Sequence, residues 1–252
     1  MIPDISISIV SHQQAKFVRE LLEDIQYRCT DTPLEVILTL NVSETMPFNQ
    51  ADFDYPVHVI TNEQAKGFGE NHNDAFRQAQ GSFFCVLNPD IRLQTNPFPE
   101  LLKCLSAADA GVVAPRIINQ QGQQEDSARD FPAPFEIIRK FFGGQSSTHR
   151  EENRALSEPD WLAGMFLIFP CNVFELIGGF DEGYFLYYED VDLCARLNLA
   201  GFRVLQCQQA AAIHEARRSS HRNLRYLHWH LSSMLRFFSS DVYREIRQKV
   251  RS

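Results

Sequence analysis

The amino-acid sequence predicts an α/β fold in which helices flank a mostly parallel, Rossmann-like sheet. Strand-like and helix-like segments alternate four times in the first 108 residues, as they do in successive βαβ units. The segment LEVILTL (34–40) is apolar almost throughout, which is typical of a strand buried on both faces. With 252 residues, of which 44% are hydrophobic, the chain is long enough to bury a core of this kind.

The elements of the first half follow one another regularly. A strand is predicted in ISISIV (5–10), and the helix predicted in AKFVRELLEDIQ (15–26) repeats Phe17, Leu21 and Ile25 at helical spacing. Further strands are predicted in LEVILTL, PVHVIT and SFFCVLN, and further helices in ENHNDAFRQAQ and PELLKCLSAA. Because ligands of such sheets bind at the carboxyl ends of the strands, we expect the functional residues there.

The second half is less regular. Strands are predicted in GVVAPRII, WLAGMFLIFP and FRVLQC, and a helix in EDVDLCARLNLAG that ends at Gly201. Residues 143–160 contain few apolar side chains, so we expect a mobile loop that orders over bound substrates. The segment RNLRYLHWHLSSMLRFF (222–238) predicts an amphipathic helix. Its apolar side would consist of Leu224, Leu227, Leu231, Leu235 and Phe238.

Charge is distributed unevenly along the chain. The net charge is −8, but nine basic and three acidic residues give the segment from Glu215 to Ser252 a charge of +6, which leaves −14 for residues 1–214. A basic tail on an acidic body predicts a local anionic partner, which is phosphate, the anionic lipid of a membrane surface or the acidic body itself, while a solvated helix face is an equally weighted alternative. A contact in a homodimer is a further option for this tail. Nucleic-acid binding is disfavoured because the body is acidic and the tail is short.

The location expected from the sequence is the cytoplasm. No apolar run reaches the roughly 18 residues that a membrane-spanning helix needs. The beginning of the chain, MIPDISISIV, has no basic region before its apolar run and so differs from a signal peptide. Six cysteines without CxxC spacing are expected to be reduced and packed.

Two segments of the first half are candidate ligand sites. Asp90 follows an apolar strand directly, where a carboxylate either holds a divalent cation, and through it a diphosphate, or caps a turn. Gly67 and Gly69 flank Phe68 between a strand and a helix, and such a turn can direct a helix N-terminus at phosphate. Because it is neither a Walker loop nor a complete GxGxxG motif, this second signal is weak.

The segment YFLYYED places Glu189 and Asp190 directly after a bulky aromatic run. A carboxylate enclosed by aromatic side chains is desolvated, which raises its pKa and suits it to proton transfer. Acidic residues are also common in the first turn of a helix, and Asp192 is expected to pair with Arg196 one turn later.

A fourth candidate lies in AAAIHEARRSS, where His214 precedes Arg217 and Arg218. A histidine beside two arginines can ligate a metal ion and bind phosphate oxygens. The same residues are equally compatible with a basic surface turn.

Taken in order, NPD (88–90), DWLAG (160–164) and GGFDEGYFLYYEDVDLCARLNLAG (178–201) followed by His214 resemble the family 2 glycosyltransferases with the GT-A fold, most closely the rhamnosyltransferase-like members. The resemblance runs from about Ile5 to Phe238. It implies transfer of a sugar from a nucleotide-diphosphate donor, first of all a dTDP-rhamnose-like one, to a glycan or lipid-linked acceptor in cell-surface polysaccharide synthesis. One carboxylate acting as base would give a single displacement with inversion at the anomeric carbon.

The resemblance also assigns roles by position. Asp190, with Glu189 beside it, would supply the catalytic base, while Asp90 and His214 would hold Mg²⁺ or Mn²⁺ near the donor diphosphate. Donor contacts would come from Ser8, Val10, Ser11, Asn41, Ser43, Gly67, Asn88, Arg217 and Arg218. Acceptor contacts would come from Arg129, Asp160, Trp161 and Gly164, and Ser127 matches the segment that contains Arg129.

The same resemblance divides the chain into a nucleotide-sugar-binding half (1–110), an acceptor-binding and catalytic half of the same domain (111–215) and a basic C-terminal helical segment (216–252). Leu40-Asn41 departs from the Asp-Asn pair of the family, and Ala65 departs from the Asn of its Asn-Leu-Gly-Phe motif.

Two other functions stay open at this point. One is a degenerate, non-catalytic protein that binds nucleotides or glycans, because Leu40 removes a carboxylate expected to contact the base. The other is a nucleotidyltransferase, although SHQQAKF after the first strand is not the Gly-rich basic loop that such enzymes carry.

Overall fold

The computed structural model describes residues 3–107, 109–132, 155–215 and 224–249. The strands are β1 (Ile5–Ser11), β2 (Leu34–Leu40), β3 (Val57–Thr61), β4 (Phe83–Leu87), β5 (Ile91–Arg92), β6 (Ala110–Ile118), β7 (Ala128–Arg129), β8 (Leu156–Ser157), β9 (Trp161–Leu162), β10 (Phe166–Pro170) and β11 (Arg203–His214). The helices are α1 (Ala15–Arg28), α2 (Phe68–Phe76), α3 (Phe98–Leu105), α4 (Cys171–Leu176), α5 (Glu189–Leu199), α6 (Leu224–Ser239) and α7 (Asp241–Lys249).

One mixed sheet organises this part of the chain. Its strand order is β3-β2-β1-β4-β10-β6-β11-β5, and β8 pairs with β11. The predicted parallel half is confirmed, because β1 pairs in parallel with β2 and β4, and β2 pairs in parallel with β3. Strand β10 runs antiparallel between β4 and β6. It therefore joins the strands before residue 110 and those after it in one sheet.

The sheet separates two apolar layers, and β4 illustrates how. Cys85 and Leu87 point into the cluster beneath α1 and α3, whereas Phe84 and Val86 point into the cluster on the opposite face, which includes the apolar side of α5. This alternation follows from the two-residue period of a strand. All six cysteines are free thiols, as the sequence predicted.

Helix α2 is unusual because it buries polar side chains. Asn71, His72 and Asn73 are all buried. The Nδ2 atoms of Asn71 and Asn73 donate to the carbonyl oxygens of Gly67, at 2.8 Å, and of Phe180, at 2.9 Å. Because buried polar groups need such partners, α2 is fixed by specific hydrogen bonds as well as by apolar packing.

Two segments of the second half differ from their predictions. The predicted strand WLAGMFLIFP is split into β9 and β10 by a turn at residues 163–165, because β9 pairs with β7 in a separate two-stranded sheet. The end of the predicted loop 143–160 contains β8, in which Ser157 pairs with Gln206 of β11. Residues 143–154 lie outside the described part of the chain.

Helix α6 forms as predicted, but its predicted apolar side faces outward. Leu224, Leu227, Leu231 and Leu235 are 82%, 55%, 45% and 67% exposed, and these four residues form the leucine stripe. The helix instead packs through buried Ser233 and Phe237 on its other side. The aromatic rings of Tyr188 and Tyr243 surround Phe237 and provide the apolar contacts that the stripe lacks. Within the described ranges, no helix has the length and hydropathy to cross a membrane.

The burial of His72 predicts a pH dependence of stability. Burial lowers the pKa of His72 to about 3, against about 6.5 in an unfolded chain. The unfolded state therefore binds a proton that the folded state does not, and stability is lost as the pH falls below about 6.5. Between pH 7 and pH 4.5 this one group should cost about 2–3 kcal/mol of unfolding free energy, and His72→Asn should remove that part.

Urea unfolding of both proteins at a series of pH values measures the difference. His228→Asn is the matched control, because His228 is exposed on α6 and should retain the wild-type profile. Parallel pH profiles for wild type and His72→Asn would contradict the assignment.

Candidate active site

The first candidate acid lies at the carboxyl edge of the sheet, directly after β4. The turn is closed by the N–H of Ile91, which donates to the carbonyl oxygen of Asn88 at 3.2 Å. Asp90 is mostly buried in this turn. Its Oδ1 atom is buried and has no hydrogen-bond partner among the described residues. An acceptor in that state is available to a ligand that the protein itself does not provide.

His214 faces Asp90 because β11 pairs antiparallel with β5, which places His214 opposite Ile91. The Nε2 atom of His214 lies 3.5 Å from Oδ2 of Asp90, and its Nδ1 atom lies 2.7 Å from Oε2 of Glu125. Burial lowers the pKa of His214, but the hydrogen bonds to the two carboxylates outweigh burial and raise it to about 9. The sequence did not predict Glu125, which lies 89 positions from His214 and carries no local signal of this pairing.

These residues fit a divalent cation that a substrate completes. The described ranges contain no group of three or more His, Cys, Asp or Glu side chains arranged to hold a metal ion. Mg²⁺ is commonly held by only one or two carboxylates together with substrate phosphates and water. Asp90, with its unpartnered Oδ1 atom, would provide the carboxylate of such a site, and His214 would join it as a neutral imidazole, which requires loss of the proton that its two carboxylate partners stabilise.

The second pair of candidate acids begins helix α5. Tyr187 and Tyr188 have left-handed backbone conformations, with φ of 71° and 66°, and α5 starts at the next residue. Two consecutive non-glycine residues in this region are uncommon and cost of order 1–3 kcal/mol each. The turn places Glu189 and Asp190 in the first turn of the helix, where the helix dipole favours negative charge.

Asp190 is held by backbone groups. Its Oδ2 atom accepts from the N–H of Gly164 at 3.1 Å, and its Oδ1 atom accepts from the N–H of Val191 at 2.8 Å. Burial raises the pKa of Asp190, while these two hydrogen bonds and the charge of Arg129 oppose the rise. The result is an oriented carboxylate that is a stronger base than an ordinary aspartate.

Glu189 differs from its neighbour. It is only 5% exposed, and its Oε2 atom is buried without a hydrogen-bond partner among the described residues. Burial, followed by the charge of Asp190, raises the pKa of Glu189 well above its usual value. Of the two acids, Asp190 is therefore better suited to accept a proton.

The two candidate centres are joined by the turn between β9 and β10. Gly164 donates its N–H to Asp190, and the next residue, Met165, accepts at its carbonyl oxygen from the N–H of Asn88 at 2.9 Å. Phe166 then pairs with Leu87, the last residue of β4. Asp90 and Asp190 thus lie at the same edge of the sheet, although they are 100 positions apart in the chain.

The predicted acceptor residues converge beside Asp190. Arg129 of β7 pairs across the strands with Trp161 of β9, and its guanidinium lies 5.2 Å from the centre of the Trp161 ring. Asp160 accepts the N–H of Phe131 at Oδ2, at 2.7 Å, which fixes the chain that follows β7. Buried Ser127, from the same segment, accepts the N–H of Ala163 at its carbonyl oxygen.

Two of the predicted donor contacts have internal partners. Ser8 is fully buried, and its hydroxyl lies 2.8 Å from Nδ1 of His72, so Ser8 is a core residue and its side chain does not face the cleft. Ser11 is also buried and donates its hydroxyl to Glu44, which accepts the N–H groups of Gln13 and Ala15 as well. Glu44 therefore holds the chain between β1 and α1, a role that the sequence did not predict.

Asn41 also has a structural role. It is buried, and its amide bonds both backbone groups of Lys66, accepting at 2.8 Å from the N–H and donating at 3.0 Å to the carbonyl oxygen. Asn62 bridges Asn41 to Asn71 through its own amide. These three side chains fix the segment before α2, whereas Ser43 is exposed and Val10 is half-buried.

Gly67 packs closely against the segment before α5, and its contact with the donor stays a prediction. A Cβ atom at this position would lie 3.0 Å from the backbone of Phe185. The N–H of Phe68 donates to the carbonyl oxygen of Phe185 at 2.8 Å, so this donor at the start of α2 has a partner within the protein. Arg217 and Arg218 lie outside the described residues, and their donor contacts stay a prediction.

Helix α6 supports the turn that leads to Glu189 and Asp190. The Ser233 hydroxyl donates to the carbonyl oxygen of Leu186 at 2.9 Å. The ring of His230 packs against Tyr187 and Tyr188, with centroid distances of 5.3 Å and 5.6 Å. No local sequence pattern predicts these contacts, because they join segments that lie more than 40 positions apart.

Arg236 of α6 fixes the beginning of the same segment. Its guanidinium pairs with Asp181 at 2.8 Å and lies 5.1 Å from the centre of the Tyr184 ring. A Cβ atom at Gly183 would overlap this guanidinium. Asp181 thus anchors α6 to the segment before α5.

Asp192, the third acid in the first turn of α5, behaves as predicted. Asp192 pairs with Arg196 one helical turn later, at 2.8 Å, and supports α5.

Comparison with known sequences gives consistent matches. A sequence model described as glycosyl transferase family 2 matches residues 6–161. The rhamnosyltransferase WbbL of Escherichia coli strain K12 is 28% identical over 245 residues, which cover 92% of this chain and 92% of that protein. An N-acetylglucosaminyl-diphospho-decaprenol L-rhamnosyltransferase of Mycobacterium tuberculosis strain H37Rv is 30% identical over 216 residues, which cover 77% of this chain and 70% of that protein.

Solved structures share the fold at low sequence identity. GalNAc-T7 with UDP, GalNAc and Mn²⁺ superposes with a TM-score of 0.72 and 16% identity over 96% of this chain, which spans about half (49%) of that protein. The mannosyltransferase PcManGT from Pyrobaculum calidifontis, in complex with GDP-Man and Mn²⁺, superposes with a TM-score of 0.65 and 17% identity over 94% of this chain and 65% of that one. These likenesses confirm the predicted GT-A fold.

The contacts of Arg236 predict that α6 orders the segment before Glu189 and Asp190. Arg236→Gln removes the ion pair with Asp181 and the stacking on Tyr184. Because the pair is partly exposed, the loss in global stability should be no more than about 1 kcal/mol. Hydrogen exchange of the amides in residues 181–191 should nevertheless become faster, and mass spectrometry of peptides from this segment measures it.

Arg244→Gln is the matched control, since Arg244 lies on α7 and pairs only locally with Asp241. Unchanged exchange of residues 181–191 in Arg236→Gln would show that α6 does not hold this segment.

Proposed function

The chain belongs to glycosyl transferase family 2, and from this premise we propose that it is an inverting, metal-dependent glycosyltransferase with Asp190 as its catalytic base. The observation that carries the proposal is the double anchoring of the Asp190 carboxylate by backbone N–H groups, at the same sheet edge as the unpartnered Oδ1 atom of Asp90. One centre would act on the acceptor hydroxyl and the other would act on the donor diphosphate.

Asp190 has the properties that a general base requires. An acceptor hydroxyl is a poor nucleophile until its proton is removed, and a positioned base typically contributes 10²–10⁴-fold to such a step. Burial strengthens the Asp190 carboxylate as a base, and its two backbone bonds fix the direction of its lone pairs. Asp190 would take the hydroxyl proton as the acceptor oxygen attacks the anomeric carbon.

The donor diphosphate becomes more negative as its bond to the sugar breaks. A Mg²⁺ or Mn²⁺ ion would supply positive charge to that leaving group. Asp90 and His214 would hold the ion, and Glu125 would fix the orientation of the His214 ring. Mn²⁺ accompanies the nucleotide or nucleotide sugar in two solved neighbours, which supports the choice of a divalent cation.

Inversion follows from the number of acids that take part. A retaining double displacement needs a nucleophilic carboxylate that forms a bond with the sugar. Glu189 is buried, and burial raises its pKa well above the usual value, which disfavours the ionised form that a nucleophile needs. Asp190 acting alone leaves the acceptor hydroxyl as the attacking group, and attack opposite the leaving diphosphate inverts the anomeric centre.

For substrates we propose a nucleotide-linked rhamnose as donor and a lipid-linked glycan as acceptor, in the synthesis of cell-surface polysaccharide. The names of two relatives support this choice, because both are rhamnosyltransferases and one name specifies a diphospho-decaprenol acceptor. Thermal-shift measurements with a panel of nucleotide sugars and Mn²⁺ would test the donor, since the preferred one should raise Tm most.

Family membership disfavours the nucleotidyltransferase alternative. The non-catalytic alternative rested on Leu40, which is buried in β2 and so is a core residue of the fold. Detection of metal-dependent sugar transfer by the purified protein would exclude that alternative.

Asp190→Asn should reduce sugar transfer by 10²-fold or more while leaving donor affinity near the wild-type value, because asparagine retains the shape but cannot accept the proton. Transfer rates with radiolabelled donor, together with calorimetric titration of the nucleotide, measure the two effects separately. Glu182→Gln is the matched control from the same acidic segment, where Glu182 is exposed. Transfer by Asp190→Asn at more than about a tenth of the wild-type rate would remove Asp190 from the role of base.

Asp90→Asn should weaken the Mn²⁺-dependent part of donor binding, by about tenfold or more, because the oxygen that would bind the ion is replaced by a weaker ligand. Calorimetric titration of the nucleoside diphosphate with Mn²⁺ and with EDTA separates this part from metal-independent binding. Asp109→Asn is the control. Asp109 immediately precedes β6, whereas the other end of β6 pairs with the part of β11 that leads to His214. Equal Mn²⁺ dependence in wild type and Asp90→Asn would overturn the metal assignment.

A further inference from the structure

Helix α6 has two faces with different surroundings. Its inner face holds the segment before Glu189 through Ser233, Phe237 and the other contacts described above. Its outer face presents the leucine stripe, whose members are spaced by three, four and four residues and therefore form one row along the helix. A single exposed leucine is ordinary on a protein surface, but a continuous row of four marks a surface that binds something.

We propose that the leucine stripe docks this protein on the surface of an anionic membrane. The proposal deepens the proposed function, because a lipid-linked acceptor is anchored in such a surface, and in that respect it rests on it. The docking itself depends only on the apolar row and on the charge of the C-terminal segment.

Charge favours an anionic surface over a neutral or basic one. Helix α6 contains Arg225 and Arg236 but no aspartate or glutamate. From Glu215 to the end of the chain the net charge is +6, whereas residues 1–214 carry −14. An anionic surface attracts the basic C-terminal segment and repels the acidic remainder of the chain. The protein would therefore approach with the segment that contains the leucine stripe toward the membrane.

The size of the stripe favours a membrane over a second copy of the chain. A helix of 16 residues is about 24 Å long and about 10 Å wide, so the stripe covers roughly 240 Å². Specific protein pairs bury about 800 Å² on each partner, which is more than three times as much. An interfacial helix needs only to sink its apolar row about 5–10 Å into the boundary between headgroups and acyl chains.

The position of the stripe suits an acceptor delivered from the membrane. Trp229 of α6 packs against Phe185, with ring centroids 4.7 Å apart. Phe185 is 38% exposed and lies four positions before Glu189. Tryptophan is enriched where one end of a side chain meets lipid and the other meets water. Docking through α6 therefore brings Phe185, and with it the segment that leads to Glu189, close to the lipid surface.

Co-sedimentation with vesicles tests docking without any substrate. Wild-type protein should pellet with vesicles of phosphatidylcholine containing a third phosphatidylglycerol at low salt, and much less with phosphatidylcholine alone or at high salt. The double variant Leu227→Gln, Leu231→Gln should bind at least about tenfold more weakly, because two leucines no longer enter the apolar layer. Leu176→Gln is the matched control, since Leu176 is equally apolar and 71% exposed but lies on α4.

Two results would overturn the proposal: wild-type protein that stays in the supernatant with anionic vesicles at low salt, or a double variant that pellets like wild type. Sedimentation velocity without vesicles tests whether a second copy of the chain binds the leucine stripe, and we expect a monomer. A dimer that the double variant dissociates would assign the leucine stripe to a second copy instead. Because the substituted leucines are exposed, thermal unfolding should be unchanged, which excludes misfolding as the cause.

A kinetic comparison separates this proposal from the proposed function. With a polyprenyl-diphosphate-linked acceptor in anionic vesicles, kcat/KM of the double variant should fall by about the same factor as its vesicle binding. With a short-chain, water-soluble acceptor, the double variant and wild type should be equal. Vesicle binding without transfer to either acceptor would reject the proposed function alone, whereas transfer by wild type with equal loss on both acceptors would reject membrane delivery.

Discussion

The candidate site depends on one short turn, residues 163–165, that holds two distant parts of the chain together. The N–H of Gly164 bonds the Asp190 carboxylate, and the carbonyl oxygen of Met165 bonds the N–H of Asn88. Because both bonds use backbone atoms of adjacent residues, the separation between the acid at the start of α5 and the turn containing Asp90 is set with little freedom. A catalyst that must act on an acceptor and a leaving group at once needs this kind of fixed spacing. The space for a side chain is also limited here, since a Cβ atom at Gly164 would lie 3.3 Å from the ring of Phe68.

Burying two adjacent carboxylates at the start of α5 is energetically unfavourable, and their surroundings stabilise the two charges unequally. Asp190 receives two backbone hydrogen bonds and the field of Arg129, whereas Glu189 has a buried oxygen without a partner among the described residues. Burial of a charged group without compensation is costly, and protonation is the usual response. The unequal surroundings of the two acids therefore favour one negative charge in the pair, located on Asp190.

The sequence predicted those features that depend on local pattern. The alternation of strands and helices, the start of α5 at Glu189 and the Asp192–Arg196 pair were all readable within a few residues of one another. It did not predict the partner of His214, because Glu125 reaches it only through the pairing of β11 with β5 and β6. Donor contacts assigned by resemblance alone, such as Ser8, also needed correction, since pattern cannot tell which face of a buried strand meets His72. In α6 the apolar period was correct, yet the helix packs through its aromatic and serine side because that side finds partners in Leu186 and Tyr188.

The C-terminal helix explains how an unfavourable turn persists at the centre of the site. Tyr187 and Tyr188 together require roughly 2–6 kcal/mol of conformational free energy in the left-handed region, which is a large share of the stability of an ordinary domain. Neither residue is glycine, so the backbone alone does not favour the turn. The compensation comes from α6, whose His230 ring packs on both tyrosines and whose Ser233 fixes the carbonyl group just before them. It follows that the inner face of α6 supports the candidate site: without its contacts the turn would relax, α5 would begin elsewhere, and Asp190 would lose its alignment with Gly164.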